Sequence, residues 1–178
     1  MKELSLSKEI DLHVDRVQDF PIEGVQYKDI SPIFLNPELC TKIVKKFAEL
    51  SKGKVDAVCG IESRGYLFGV QIARELNLPF ILVRKAGKLP PPIISQEYDL
   101  EYGKAIIEVK KGHIQPGQRI LIHDDVLATG GTAAACAKLV ENCGALVSQF
   151  SFLIGLSFLN GIGELKNHTQ DIQLLLEY

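Results

Sequence analysis

The alternation of short β-rich runs with longer helical segments constrains this chain more than any other feature. Val55 to Gly60 (VDAVCG), Phe80 to Arg84 (FILVR), Arg119 to Asp125 (RILIHDD), Leu146 to Ile154 (LVSQFSFLI) and Asp171 to Leu176 (DIQLLL) read as strands. Between them, Pro37 to Leu50, Arg64 to Leu76 and Thr132 to Cys143 repeat apolar residues at helical spacing. Strands separated by helices imply βαβ units, and strands that are nearly continuous in apolar residues are expected where helices cover both faces. The pattern predicts an α/β fold with a central parallel β-sheet flanked by helices. In such sheets ligands bind beyond the carboxyl ends of the strands, so the residues that follow each strand are the first candidates for function.

Charge and composition narrow the partners. The 178 residues carry a formal net charge of -2, which argues against bulk nucleic acid or an anionic membrane as the main partner. Positive charge used on an anionic substrate must therefore be placed locally. No apolar run is long enough to span a bilayer, and Met1 to Asp11 lacks the apolar centre of a secretory signal, so a cytoplasmic address is expected. Cys40, Cys59, Cys136 and Cys143 show no metal-binding spacing. Cys136 and Cys143 share a helix face but lie about 10 Å apart along it, too far for a disulfide. Free thiols are expected. With no repeat, low-complexity tract or linker, residues 1–178 read as a single domain.

Two segments break the alternation. Residues 1–32 end in FPIEGVQYKDISP and read as a small separate cover, leaving a core of residues 33–178. Residues 86–104 are long, polar and proline-rich, the pattern of a functional lid in a compact domain.

The most specific stretch is Arg119 to Thr132, RILIHDDVLATGGT. An apolar strand ends in two acids, and Thr-Gly-Gly-Thr then opens a helix. Gly130 and Gly131 let backbone approach a ligand closely, and the helix start offers unpaired N–H groups and the positive end of a dipole. Thr129 and Thr132 add hydroxyl donors, so a phosphate monoester fits there. Asp124 and Asp125, one short turn earlier, would repel a second phosphate but suit the 2′ and 3′ hydroxyls of a ribose. His123 precedes them within the strand and reads as packed.

This stretch resembles the phosphoribosyl pyrophosphate signature of the type I phosphoribosyltransferases. FPIEGVQYKDISP, GIESRGYLFG, RKAGKLP and LEYGKA make the chain, from about Phe20 to Ile162, similar to the adenine phosphoribosyltransferase branch of that family. The resemblance implies the family's fold, with a small N-terminal hood and a long flexible catalytic loop, and transfer of the phosphoribosyl group to N9 of adenine, giving AMP and pyrophosphate. It assigns phosphoribosyl pyrophosphate to Arg64, Lys85, Lys88, Tyr102, Asp124, Asp125, Ala128, Thr129, Gly130, Gly131 and Thr132. A non-proline cis peptide is expected at Glu62–Ser63. Adenine is assigned to Gln26, Tyr27 and Lys28, with Leu156 packing on the other side. Glu101, carried by the lid, becomes the acid/base candidate at N7, because closure must keep water from the reacting sugar. Mg²⁺ is expected to arrive on the phosphoribosyl pyrophosphate oxygens, since no acid or histidine cluster suggests a dedicated metal site. A homodimer is implied, with Arg84 a candidate contact.

The chain departs from that branch in several places. Tyr27 and Lys28 stand where Phe and Arg are usual, and Ala86 replaces a second arginine. Pro90, Pro91 and Pro92 stiffen the start of the lid. A 6-oxopurine enzyme is the nearest alternative, but that branch lacks LEYGKA. A DNA-binding sensor of phosphoribosyl pyrophosphate would need a basic module that 178 residues of net negative charge do not supply.

Overall fold

A computed structural model describes residues 4–99 and 103–178. The chain runs α1 (Leu6–Asp11), β1 (Asp15–Gln18), β2 (Gln26–Asp29), a 3₁₀ turn, α2 (Pro37–Ser51), β3 (Ala57–Ile61), α3 (Gly65–Leu76) and β4 (Phe80–Lys85). It continues through β5 (Ile93–Asp99), β6 (Lys104–Lys110), β7 (Arg119–Leu127), α4 (Gly131–Asn142), β8 (Leu146–Gly155), a second 3₁₀ turn, α5 (Gly161–Leu165) and β9 (Ile172–Glu177).

Seven strands form one sheet in the order β5-β6-β4-β3-β7-β8-β9. From β4 to β9 every neighbour is parallel, while β6 pairs antiparallel with both β4 and β5. The expected parallel core is present, and the strand and helix limits fall within two residues of those read from the sequence. α2 starts where expected because Pro37 fills its first turn and the Asn36 side chain accepts the Leu39 N–H at 3.1 Å. α3 ends at Asn77, which adopts the left-handed conformation (φ 55°).

Residues 86–104 are not one long loop. The middle of the segment is the first arm of a β-hairpin, with Ile93 to Asp99 paired residue by residue to Lys110 through Lys104. β5 alternates exposed and half-buried positions, as an edge strand does. Its Ser95, Gln96 and Glu97 dilute the apolar alternation that marks a strand in sequence. Glu101 and Tyr102 lie outside the described residues.

Each sheet face has its own core. One is built on the alanine-rich face of α4, with Phe150 and Phe152 beneath it. The other gathers Phe47 of α2, Phe68 and Ile72 of α3, and Ile10 and Ile30 of the N-terminal cover. That cover comprises α1 and a separate two-stranded sheet, β1-β2. It lies over the end of β9, where the Tyr178 hydroxyl donates to Asp11 at 2.6 Å.

Candidate active site

β7 leaves the sheet at Leu127, and a short loop carries the chain into α4. Gly130 adopts φ 87°, a conformation glycine enters without the Cβ penalty. No side chain caps the start of α4, so its first-turn N–H groups are left for an outside partner. Beside them lies a hollow of about 90 Å³ lined by Asp124, Ala128, Thr129, Gly130, Gly131 and Thr132. A second glycine shapes this cup from below. A Cβ on Gly161 would stand 2.2 Å from the Ala128 carbonyl oxygen, so α5 packs on the loop by backbone alone. In front of Gly131 an added Cβ would meet nothing nearer than 3.9 Å, so the mouth is open.

Asp124 and Asp125 follow the buried run Ile120 to His123 on β7. Asp124 Oδ1 accepts the Asp125 N–H at 2.9 Å, and Asp125 Oδ2 pairs with Arg64 Nε at 2.9 Å. Burial raises both carboxyls above the ordinary range. The charge of Asp125 raises Asp124 further, while Arg64 pulls Asp125 back, so Asp125 ionises first. The start of α3 presses on this pair because Gly65 has no side chain: a Cβ there would lie 2.7 Å from the His123 carbonyl and 2.9 Å from Asp124 Oδ1. His123 is fully buried, with its Nδ1 2.8 Å from Ser151 Oγ, and burial lowers its pKa to about 3. It is a neutral core residue.

The turn from β3 to α3 contains the cis Glu62–Ser63 bond. It forms one wall of a cleft of about 610 Å³, with Arg64, Lys85, Tyr98, Asp124, Asp125 and Thr132 among its lining. Glu62 is the hub of the cationic side. Its carboxylate takes Arg84 Nη2 at 3.0 Å, Lys88 Nζ at 3.1 Å and the Lys85 N–H at 2.9 Å. The Arg84 hydrogen bond is the largest cause that holds Glu62 down at about 2. Arg84 also donates from Nη1 to the Lys88 carbonyl at 3.1 Å.

The cover reaches this cleft through Tyr27. Arg64 Nη1 donates to the Tyr27 hydroxyl at 2.6 Å, and the guanidinium carbon sits 5.1 Å from the ring centroid. Tyr27 and Phe20 meet edge to face. Gln26 and Lys28 bond to each other through Gln26 Oε1 and Lys28 Nζ.

Comparison with known proteins decides the family. The family model "Phosphoribosyl transferase domain" matches residues 30–168. An adenine phosphoribosyltransferase of Christiangramia forsetii is 48% identical over 171 residues, covering 96% of this chain and 99% of that one. The chain belongs to the adenine phosphoribosyltransferase family. The crystal structure of the Thermoanaerobacter pseudethanolicus adenine phosphoribosyltransferase superposes with a TM-score of 0.93 at 39% identity, over 98% of this chain and 100% of the other. The Saccharomyces cerevisiae adenine phosphoribosyltransferase, solved with an imino-altritol bisphosphate and adenine, superposes at 0.90 and 38% identity, over 96% and 98%.

The structure brings together many of the residues that the adenine phosphoribosyltransferase resemblance pointed to. Ala128 to Thr132 form the cup, Asp124 and Asp125 stand beside it, and Arg64 and Lys85 line the same cleft. Lys88 and Arg84 are held by Glu62 next to it. Gln26 and Lys28 are turned onto each other, and Lys28 lies beneath Tyr178. Leu156 is half-buried against the core on the cover side and borders a smaller apolar hollow of about 180 Å³ with Leu127, Gly161 and Leu174. The Glu62–Ser63 turn was expected from the sequence, and its cis bond is present, but the role of the Glu62 carboxylate as a partner of Arg84 and Lys88 was not. Two further contributors, Gly161 and Tyr178, escaped sequence reasoning. Gly161 and Tyr178 act through contacts that no local motif encodes.

Proposed function

We propose that this chain transfers the 5-phosphoribosyl group of phosphoribosyl pyrophosphate to N9 of adenine, giving AMP and pyrophosphate. One observation carries this reading: a helix-start cup, a buried acid pair and a paired arginine share one cleft at the carboxyl ends of β3 and β7.

In this reading the 5-phosphate sits in the cup formed by Ala128, Thr129, Gly130, Gly131 and Thr132, held by first-turn N–H groups and the two threonine hydroxyls. Asp124 and Asp125 accept the ribose hydroxyls. As the C1–oxygen bond to pyrophosphate breaks and the N9–C1 bond forms, the sugar gains oxocarbenium character, which the ionised Asp125 favours electrostatically. Arg64, Lys85 and Lys88 bind the departing pyrophosphate, joined by Tyr102 from beyond the described residues. The donor set fits a Mg²⁺ ion carried on the substrate's own oxygens, because the aspartates are engaged by the Asp125 N–H and Arg64. Mg²⁺ would supply charge neutralisation on the leaving group. The proton released from adenine passes through N7 to Glu101. The backbone of Gln26 to Lys28 reads the exocyclic amine and N1, and Tyr27 and Leu156 flank the ring.

The same reading makes the protein a cytoplasmic homodimer in one domain. Leu67 and Val70 of α3, Leu82 of β4 and Ile106 of β6 are exposed apolar side chains suited to a subunit contact, and Arg84 lies on the same strand as Leu82.

The test is product formation from labelled adenine, phosphoribosyl pyrophosphate and Mg²⁺, with hypoxanthine, guanine and xanthine in parallel. AMP from adenine alone is the expected result. Saturable phosphoribosyl pyrophosphate binding without product from any purine would overturn the reading. Glu101→Gln is expected to lower kcat by about 100-fold or more, and unchanged turnover at saturating substrates would remove Glu101 from the mechanism.

A further inference from the structure

Tyr178, which follows β9, touches both walls of the proposed base pocket. Its N–H donates to the Gly155 carbonyl and its own carbonyl accepts the Ser157 N–H, both at 2.9 Å. Those two bonds bracket Leu156, whose N–H is held by the Leu127 carbonyl at 2.8 Å. The Tyr178 side chain turns the other way, into the cover. Lys28 Nζ stands 4.0 Å from its ring centroid, and the Arg16 guanidinium 5.4 Å. Its hydroxyl donates to Asp11 Oδ1 at 2.6 Å, the same oxygen that pairs with Arg16 at 2.6 Å.

The cover needs such an anchor. Its sheet is a single two-stranded hairpin, which is marginal on its own in water. Lys28 is only 7% exposed, and a buried ammonium must be compensated. The face of Tyr178 and the Gln26 amide oxygen provide that compensation. One aromatic side chain thus ties the strand carrying Gln26, Tyr27 and Lys28 to the main sheet, while its backbone fixes the turn carrying Leu156.

We infer that Tyr178 is a positioning residue that sets the gap between β2 and Leu156, and through it the affinity for the flat purine ring. This rests on the proposed assignment of the base to that gap. The cup and the acid pair stand on β7 and α4, which Tyr178 does not touch through any of these bonds; its one route to the phosphoribosyl pyrophosphate site runs through Tyr27 to Arg64, so that affinity moves less than the affinity for adenine.

The experiment measures KM for adenine and for phosphoribosyl pyrophosphate separately in Tyr178→Leu, Tyr178→Phe, Lys28→Met and Leu156→Ala. Tyr178→Leu removes the ring and is expected to raise adenine KM by about tenfold, with phosphoribosyl pyrophosphate KM within about twofold of the parent. Tyr178→Phe keeps the ring face and is expected to recover most of the loss. Lys28→Met removes the cation without touching the fold of β9 and tests the same link should Tyr178→Leu fail to fold; its adenine KM is expected to rise. Parallel rises in both KM values would mark a general structural role and overturn the inference. So would an unchanged adenine KM in Tyr178→Leu while Leu156→Ala raises it. If Leu156→Ala also leaves adenine KM unchanged, the base-pocket assignment falls with it.

Discussion

Arg64 is bonded to Tyr27: its Nη1 donates to the Tyr27 hydroxyl at 2.6 Å, while its Nε pairs with Asp125 at 2.9 Å. The arginine proposed to grip the leaving group is therefore oriented from both sides, by the cover and by the acid pair. A phenylalanine at position 27 would offer the ring face but not the hydroxyl.

Tyr27→Phe is accordingly expected to raise KM for phosphoribosyl pyrophosphate by roughly 3- to 10-fold, because an oriented charged hydrogen bond is lost. Adenine KM should change less, since the ring is kept. Steady-state kinetics with each substrate varied in turn checks this. A lower phosphoribosyl pyrophosphate KM would mean that Tyr27 holds Arg64 away from the substrate instead.

Asp125→Asn removes the ionised partner of Arg64 from a position that is only 4% exposed. A fall in kcat/KM on the order of 100-fold is expected, from the loss of negative charge beside the developing positive sugar. Asp124 should behave differently. Burial and the Asp125 charge raise its carboxyl, so removing that neighbouring charge in Asp125→Asn lets Asp124 ionise more readily. Titration of the pair by carboxyl carbon NMR, in the parent and in Asp125→Asn, reads this directly; an unmoved Asp124 would contradict the coupling.

Glu62 links acid stability to the pyrophosphate side. Its pKa is depressed from 4.5 to about 2, chiefly by the Arg84 hydrogen bond. The folded state therefore binds fewer protons than the unfolded state in that window. The resulting stabilisation is complete above about 4.5 and is lost as pH falls toward about 2. Glu62→Gln should flatten that part of the acid limb in urea unfolding. An unaltered acid limb would show that the ion pairs are not maintained in solution.

His123 acts at higher pH. Its folded pKa is lowered from 6.5 to about 3 by burial, so its contribution is complete above 6.5 and declines as pH falls. The expected slope is up to about 1.4 kcal/mol per pH unit across that window. His123→Val, which cannot protonate, should remove its share of this slope between pH 6.5 and 4.5, where folded Glu62 is still ionised, leaving the opposite drift from the raised Asp124 and Asp125 carboxyls. Denaturation midpoints at half-unit steps separate the two groups. Persistence of the slope in His123→Val would assign it elsewhere.

What was legible in the sequence was what is close in the sequence. Asp124, Asp125 and Thr129 to Thr132 lie within one strand–turn–helix passage, so local chemistry announced the cup and the acids together. The apolar runs at β3, β7 and β8 likewise declared a sheet buried on both faces. The β5–β6 hairpin was hidden because its pairing, not its composition, makes it a strand pair: KAIIEVK follows Gly103 in a stretch whose prolines and polar residues read as a loop. Glu62 with Arg84 and Lys88, and Tyr178 with Lys28 and Asp11, are joined across long stretches of chain, and no local pattern encodes a contact at that range.

The arrangement around Glu62, Arg64 and Asp125 has a consequence for selection among anions. Three of the cations at this end of the cleft are held on acids: Arg64 leans on Asp125, while Arg84 and Lys88 share Glu62. These acids cut down the field that the cations project into solvent and so weaken the gathering of phosphates from a distance. A ligand gains there only by exchanging partners one for one, which requires its phosphates, its sugar hydroxyls and its base to arrive in register. Discrimination is then a matter of fit at contact, and common monophosphates and free diphosphate, lacking the full set of partners, have little to exchange.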